Sequence, residues 1–331
     1  MLADGSFLCW SIYFFVKGFD LKMENILKHL VAKNIIDTNT KIRKLSKGGS
    51  DANLFELNCA NGDYVIKNYG IVTAYKLGSE NEYQFYRLSN DLNLTYLPKV
   101  IYIEKHDELG IIIVFKKYKD ISVAEWDLSH QQAIADIIAQ IHSKSDFFVK
   151  QLNIKNNTFR FPAAEEIKKA YTDWYNVLDK HGIDNSTIDD IQSNFSRIIN
   201  FMKTHSNVFI HGDFHPENSV LNENNEIILI DWSNFQLGSK GEIAFFISRG
   251  YDSGINIHED EIKTHYLERY SYYADKPISM LELNKECNMN MIFVNYLYSA
   301  YYLQESETDR VQTAYEKLIT SYNWLLLNKC L

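Results

Sequence analysis

At 331 residues the chain has room for two compact domains or one large bilobal unit, because single cores stop growing beyond roughly 250–300 residues. Hydrophobic residues make up 46% of it and aromatics 14%, which excludes a disordered chain. A net charge of −9 argues against capture of nucleic acid, since phosphate binding leaves a basic footprint, and suits a cationic small partner better.

The chain opens on an apolar run, Phe7 to Val16. The run is too short to span a bilayer, has no basic region before it and no small-residue cleavage site after it. Residues 1–22 therefore read as an N-terminal extension outside the fold, and no membrane partner is expected. Cys9, Cys59, Cys287 and Cys330 form no CxxC pair and no metal-ligand spacing, which points to buried reduced thiols in a cytoplasmic protein.

The first predicted element is a helix over 25–36, where Ile26, Leu27, Leu30, Val31 and Ile35 recur at helical spacing. Short strands follow at 42–45, 54–57 and 64–67, with Gly48-Gly49 turning between the first two and Asn61-Gly62 giving a hairpin signal before the third. A helix is predicted over 76–88, then strands at 99–103 and 110–115. From Ser122 onward helical periodicity dominates, over 133–142, 163–178, 188–203 and most of 261–327. One hairpin interrupts it, with strands at 219–221 and 227–230 around the turn 222–226. A strand-rich first third joined to a helical remainder is an α+β arrangement with a smaller lobe over 23–117 and a larger, mostly helical lobe over 118–331, the boundary near Phe115 to Tyr118 reading as a hinge.

The chemistry concentrates in Val208-Phe-Ile-His-Gly-Asp-Phe-His-Pro-Glu-Asn-Ser-Val-Leu221, followed by Ile227-Ile-Leu-Ile-Asp-Trp232. Phosphoryl transfer needs a carboxylate to orient and deprotonate the attacking hydroxyl, and oxygen ligands for Mg²⁺. Asp213 fits the first task. Asn218 and Asp231 fit the second, since Mg²⁺ is held by a few protein oxygens together with nucleotide phosphates.

These two blocks resemble the H-G-D-x-x-x-x-N and I-D-W signature of the aminoglycoside phosphotransferase and choline kinase superfamily, and the resemblance covers most of residues 40–250. It implies a two-lobed protein-kinase-like fold, with an antiparallel sheet and helix in the small lobe. It also implies ATP and Mg²⁺ as cofactors, Asp213 as catalytic base, and Asn218 and Asp231 as metal ligands. A kinase lobe further requires a phosphate-covering turn, a strand lysine and a helical glutamate to pair with it. Gly48, Gly49 and Ser50 are the candidates for the turn, Lys67 at the end of Tyr64-Val-Ile-Lys for the lysine, and Glu82, with Glu80 as second choice, for its partner. Phe115, Lys116 and Lys117 stand where the adenine ring would meet backbone groups. The family often has an acid near there, and this chain does not. It also often has Asp where this chain places Glu242, whose carboxylate suits the electrostatics of a helix start. His142, in Ala-Gln-Ile-His-Ser, is expected to be structural.

Other readings of the same residues are weaker. His205, His211, Asp213 and His215 offer zinc-type ligands, but the downstream clusters of a dinuclear hydrolase are missing. His211 is expected to brace the loop and His215 to fill it. No G-x-x-x-x-G-K-[ST] occurs, which sets aside a P-loop kinase. His211-Gly-Asp213 and Asp231-Trp-Ser233 replace the His-Arg-Asp and Asp-Phe-Gly of protein kinases, with no Ala-Pro-Glu after them. A nucleotide-binding pseudokinase or scaffold is the alternative from a different class, and retention of Lys67, Asp213, Asn218 and Asp231 argues against it. The expected acceptor is a small cationic alcohol of the aminoglycoside, choline or ethanolamine kind. Asp252, His258, Glu259, Asp260 and Glu261 would attract it, and Tyr266, Tyr270, Tyr272 and Tyr273 could offer aromatic faces if they are not core.

Overall fold

Alternation in the first third of the chain decides its layers. In the computed structural model, which describes residues 21–45, 52–74, 76–89, 92, 94–152, 154 and 161–331, five strands form one antiparallel sheet: β1 (Lys41–Lys44), β2 (Asn53–Cys59), β3 (Gly62–Tyr69), β4 (Val100–His106) and β5 (Gly110–Lys116), in the order β1-β2-β3-β5-β4. Tyr64 and Ile66 of β3 join Phe55, Leu57, Ile112 and Val114 against Met23, Ile26, Leu27 and Leu30 of helix α1 (Leu21–Ala32). Lys67 and Tyr69, at the opposite parity, instead meet Glu82 of helix α2 (Leu77–Ser89). Helix α1 ends earlier than its apolar spacing predicts, because Asn34 takes φ 58° and the Ile35 N–H closes back on the Leu30 carbonyl at 2.9 Å. That left-handed closure satisfies a terminal carbonyl and turns Ile36 into the core as part of a loop.

The chain divides into two compact units, one of residues 21–89 with Pro98–Lys117, the other of Asp91–Leu97 with Tyr118–Leu331. The sheet and both helices above belong to the first. In the second, helix α3 (Leu128–Ser143) starts where the Asp127 side chain accepts from the His130 N–H, a standard N-cap. After α4 (Ser145–Gln151) come α5 (Ala164–Lys180) and α6 (Ser186–His205). The predicted helical stretch 261–327 is several helices. Helix α7 (Ile243–Asp252) precedes α8 (Glu259–Ala274), which stops at left-handed Asp275. Helix α9 (Met280–Val294) restarts on a Ser279/Glu282 capping box. A π-helical turn, Asn295–Ser299, leads to α10 (Ala300–Leu303), and α11 (Thr308–Leu327) closes the chain. Helices α5, α6, α9 and α11 share a core in which Trp174, fully buried, donates its indole N–H to the Tyr296 carbonyl at 3.0 Å, so its polar atom is not left orphaned.

Short strands carry the loops of interest. β6 (Lys119–Asp120), β8 (Ser219–Leu221) and β9 (Ile227–Leu229) form one small sheet, and β7 (Val208–Ile210) with β10 (Gln236–Gly238) another. The hairpin predicted at 219–230 is therefore present, while β6 and β10, too short to show a period, are not visible in the sequence pattern. Among the described residues no helix is long and apolar enough to cross a membrane, and Cys59, Cys287 and Cys330 carry free thiols.

Candidate active site

Strand β7 is apolar and buried and delivers the chain to His211 and Gly212. Gly212 sits at φ +81°, and a Cβ there would lie 1.9 Å from the Asn234 carbonyl oxygen, so only glycine fits. His211 is fully buried. Its Nε2–H donates to the Ile230 carbonyl at 2.9 Å, and its Nδ1 accepts from the Asp213 N–H at 3.3 Å. Burial lowers its pKa, so the neutral ring keeps this donor and acceptor pattern at neutral pH. His211 thus ties the backbone of Asp213 to the residue preceding Asp231, which is the bracing role expected of it.

Asn218 makes the second tie. Its Nδ2 donates to the Asp213 carbonyl at 2.8 Å and lies 3.1 Å from His215 Nε2, and its backbone carbonyl accepts from the Ile230 N–H at 2.9 Å. With the amide nitrogen turned to these partners, Oδ1 is the Asn218 atom that can meet a metal ion. Asp231 takes φ 63° and ψ 60°, a left-handed backbone that costs about 1–3 kcal/mol at a non-glycine residue and concentrates at functional sites. Ser233 Oγ donates to its Oδ1 at 3.0 Å. The structure therefore brings Asp213, Asn218 and Asp231 together through one hydrogen-bonded frame. An amide oxygen and a carboxylate are hard donors, fitted to Mg²⁺.

The Asp213 carboxyl is 46% exposed. Burial raises its pKa, but His215, whose Nε2 is 3.6 Å from Oδ1, outweighs that, and the group titrates below the ordinary carboxylate value. His215 is accordingly more than loop filling, since it touches both the carboxylate and the Asn218 amide. Glu242 also exceeds its expected role. Instead of serving a helix start alone, its carboxylate accepts from the Gly212 N–H at 2.6 Å and the His211 N–H at 3.2 Å, with His142 Nε2 at 3.4 Å. The sequence signal for this was an acid set directly before the apolar run Ile243-Ala-Phe-Phe-Ile247, where a buried carboxylate demands donors. The zinc reading finds no support. Both His211 nitrogens are engaged, His205 stacks on Phe201 with centroids 3.8 Å apart, and among the described residues no group of three or more His, Cys, Asp or Glu is placed to hold a metal ion.

In the other unit, Lys67 Nζ lies 2.9 Å from Glu82 Oε1, and Tyr69 O–H donates to Oε2. The choice between glutamates is thereby made: Glu80 pairs with Lys105 instead. The Lys67–Glu82 pair is almost wholly buried, with side chains 6% and 1% exposed. Removing one partner of such a pair strands the other charge and costs about 3–5 kcal/mol. Glu82→Ala is therefore expected to lower unfolding free energy by about that amount in urea titration, whereas Glu80→Ala, breaking a half-exposed pair, should change it by less than about 1 kcal/mol. Equal effects would show that the buried pair is not special.

Phe115 packs edge-on against Tyr86 at 4.8 Å. The Lys116 N–H donates to the Lys99 carbonyl at 3.1 Å and the Lys117 N–H to the Asp63 carbonyl at 2.9 Å. The backbone N–H groups of these two residues are therefore already taken within the unit. Gly48, Gly49 and Ser50 lie outside the described residues, as do residues 1–20. The four tyrosines divide. Tyr266 and Tyr270 are core, stacked at 5.8 Å, while the rings of Tyr272 and Tyr273 already carry the Arg269 guanidinium at 5.2 and 4.7 Å. Of the acids, Glu259 pairs with Lys263 and Asp252 with Lys317, and Glu259 to Glu261 occupy the first turn of α8, where acids complement the helix dipole.

Several solved structures share the fold. A choline kinase from Cryptosporidium parvum superposes with a TM-score of 0.62 at 14% identity, over 93% of this chain and 98% of that one. A choline kinase from Streptococcus pneumoniae gives 0.57 at 18% identity, over 90% and 99%. A spectinomycin phosphotransferase, solved with ADP and spectinomycin, gives 0.55 at 15% identity, over 90% and 93%. No curated protein matches the sequence. Residues 41–239, more than half of the chain and including both motif blocks, match the model of the phosphotransferase enzyme family. The chain belongs to the phosphotransferase enzyme family.

Proposed function

We propose that the protein transfers the γ-phosphoryl group of ATP, in the presence of Mg²⁺, to a hydroxyl of a small cationic alcohol in the cytoplasm. The frame that ties Asp213, Asn218 and Asp231 through His211 and the Ile230 backbone is the observation that carries this reading. It presents one ionised carboxylate beside two oxygen donors, which is the set phosphoryl transfer requires.

Asp213 accepts the acceptor's O–H as a hydrogen bond and orients a lone pair toward phosphorus. Its low pKa suits this role, because a largely dissociative transfer needs alignment early and proton removal late. The new bond joins the acceptor oxygen to the γ-phosphorus, the bond from that phosphorus to the β,γ-bridging oxygen breaks, ADP leaves, and the proton passes to Asp213 and then to solvent. Asn218 and Asp231 would hold Mg²⁺, which supplies charge neutralisation at the phosphates. Lys67, fixed by Glu82 and Tyr69 within its own unit, is the cation proposed for nucleotide binding there.

The cationic acceptor is supported by exposed carboxylate around the loop, Asp213 and the 69% exposed Glu217, rather than by Asp252 of α7 and Glu259 of α8, which are already paired with lysines. It is supported too by the chemistry of the proteins sharing the fold, which include choline kinases and a Plasmodium vivax ethanolamine kinase. Mg²⁺-dependent ATP consumption should be assayed across choline, ethanolamine, aminoglycosides, amino sugars and neutral alcohols of like size. Turnover confined to amine-bearing alcohols is the expected result. Nucleotide binding with no acceptor phosphorylated would favour a pseudokinase, and preference for neutral alcohols would remove the charge argument.

A further inference from the structure

We propose that Tyr266 is a positioning residue for the catalytic loop, acting through His142 and Glu242; this rests on the phosphotransferase reading of that loop. The chain of contacts begins in α8 and ends at the residue before Asp213. Tyr266 Oη lies 2.8 Å from His142 Nδ1, His142 Nε2 lies 3.4 Å from Glu242 Oε2, and Glu242 accepts the N–H groups of His211 and Gly212. Tyr266, His142 and Glu242 are all buried.

The Glu242 carboxylate can accept from His142 Nε2–H, which leaves Nδ1 as the ring's acceptor, and the orientation of the ring is held by whichever donor meets that nitrogen. Tyr266 O–H is that donor. Burial holds the phenol pKa well above its ordinary value, so the donor persists at any working pH. Without the hydroxyl, Nδ1 is left buried with no donor, and the ring must turn to satisfy it, drawing Nε2 away from the Glu242 carboxylate. Glu242 then shifts to replace the lost donor, loosening its grip on Gly212. That glycine has little room to settle elsewhere, being pressed against the Asn234 carbonyl. Asp213 follows Gly212 directly, so the displacement falls on the group proposed to align the acceptor.

Phenylalanine at 266 keeps the ring that stacks on Tyr270 and meets His142 edge-on and deletes only the donor. In the full chain, Tyr266→Phe is expected to lower kcat about 10-fold, leave both KM values within about 2-fold, and add no further loss in a Glu242→Gln background. ¹⁵N-histidine NMR of the wild type should show His142 as the Nε2–H tautomer with Nδ1 hydrogen-bonded, and Tyr266→Phe should shift the Nδ1 resonance as that hydrogen bond is lost. A wild-type Nδ1–H tautomer overturns the proposal without any variant, as does a Tyr266→Phe protein with unchanged His142 signals and unchanged kcat. Should the wild type phosphorylate no acceptor, the functional reading fails and the NMR comparison still decides the role of Tyr266.

Discussion

Asp213→Ala should lower kcat by about 10²–10⁴-fold, the usual contribution of a positioned general base, while nucleotide affinity stays within about 3-fold of wild type, a difference of under 1 kcal/mol. The backbone frame explains the separation. Asp213 is held through its N–H by His211 and through its carbonyl by Asn218, and neither contact uses the carboxylate. Truncating the side chain therefore leaves Asn218 and the Ile230 tie in place, and with them the groups proposed to hold the metal–nucleotide complex. Steady-state kinetics and nucleotide titration by calorimetry test the two halves independently. Unchanged kcat removes Asp213 as base, and a nucleotide affinity lost in parallel would assign it to binding. Because His215 outweighs burial and keeps its pKa below the ordinary carboxylate value, the Asp213-dependent rate should hold on the acid side of neutrality. An acid limb near neutral pH would assign the essential proton to another group.

What the sequence revealed follows the range over which each contact is made. Asp213, Asn218 and Asp231 sit within 19 residues spanning a single hairpin, so their order and spacing carry most of the geometry. Lys67 and Glu82 were legible through the family resemblance, which implies a strand lysine and a helical glutamate at these positions, and the 2.9 Å contact joins the two. Glu242 was recognised as an acid at a helix start, yet its partners, His211 and Gly212, lie about 30 residues upstream and meet it only through the packing of β7 against the turn before α7. The same limit applies to Lys116 and Lys117, whose amide donors are taken by Lys99 and Asp63, partners that no local pattern identifies. Tyrosine spacing on α8 could not separate core from surface, because Tyr266, Tyr270 and Tyr273 fall on neighbouring faces and only the position of α3 decides which are covered.

Asp231→Asn separates charge from shape at the second acid. Asn and Asp both tolerate the left-handed backbone that Asp231 adopts at φ 63° and ψ 60°, and an amide oxygen can still accept from Ser233 Oγ. The substitution should therefore leave unfolding free energy within about 0.5 kcal/mol of wild type. Activity should respond quite differently, because a neutral amide replaces the only formal charge among the two proposed metal ligands. Charge stabilisation by a bound metal is worth several kcal/mol, and at about 1.4 kcal/mol per factor of ten its weakening should cost 10²–10³-fold or so in kcat/KM. The half-saturating Mg²⁺ concentration should rise, and nucleotide affinity should fall only when Mg²⁺ is present. That signature is the reverse of Asp213→Ala, which spares the metal–nucleotide complex. Asp231→Asn protein that turns over normally at limiting Mg²⁺ would show that the ion, if used, is held elsewhere, and that the strained backbone at this residue serves a purpose other than presenting a carboxylate to a cation.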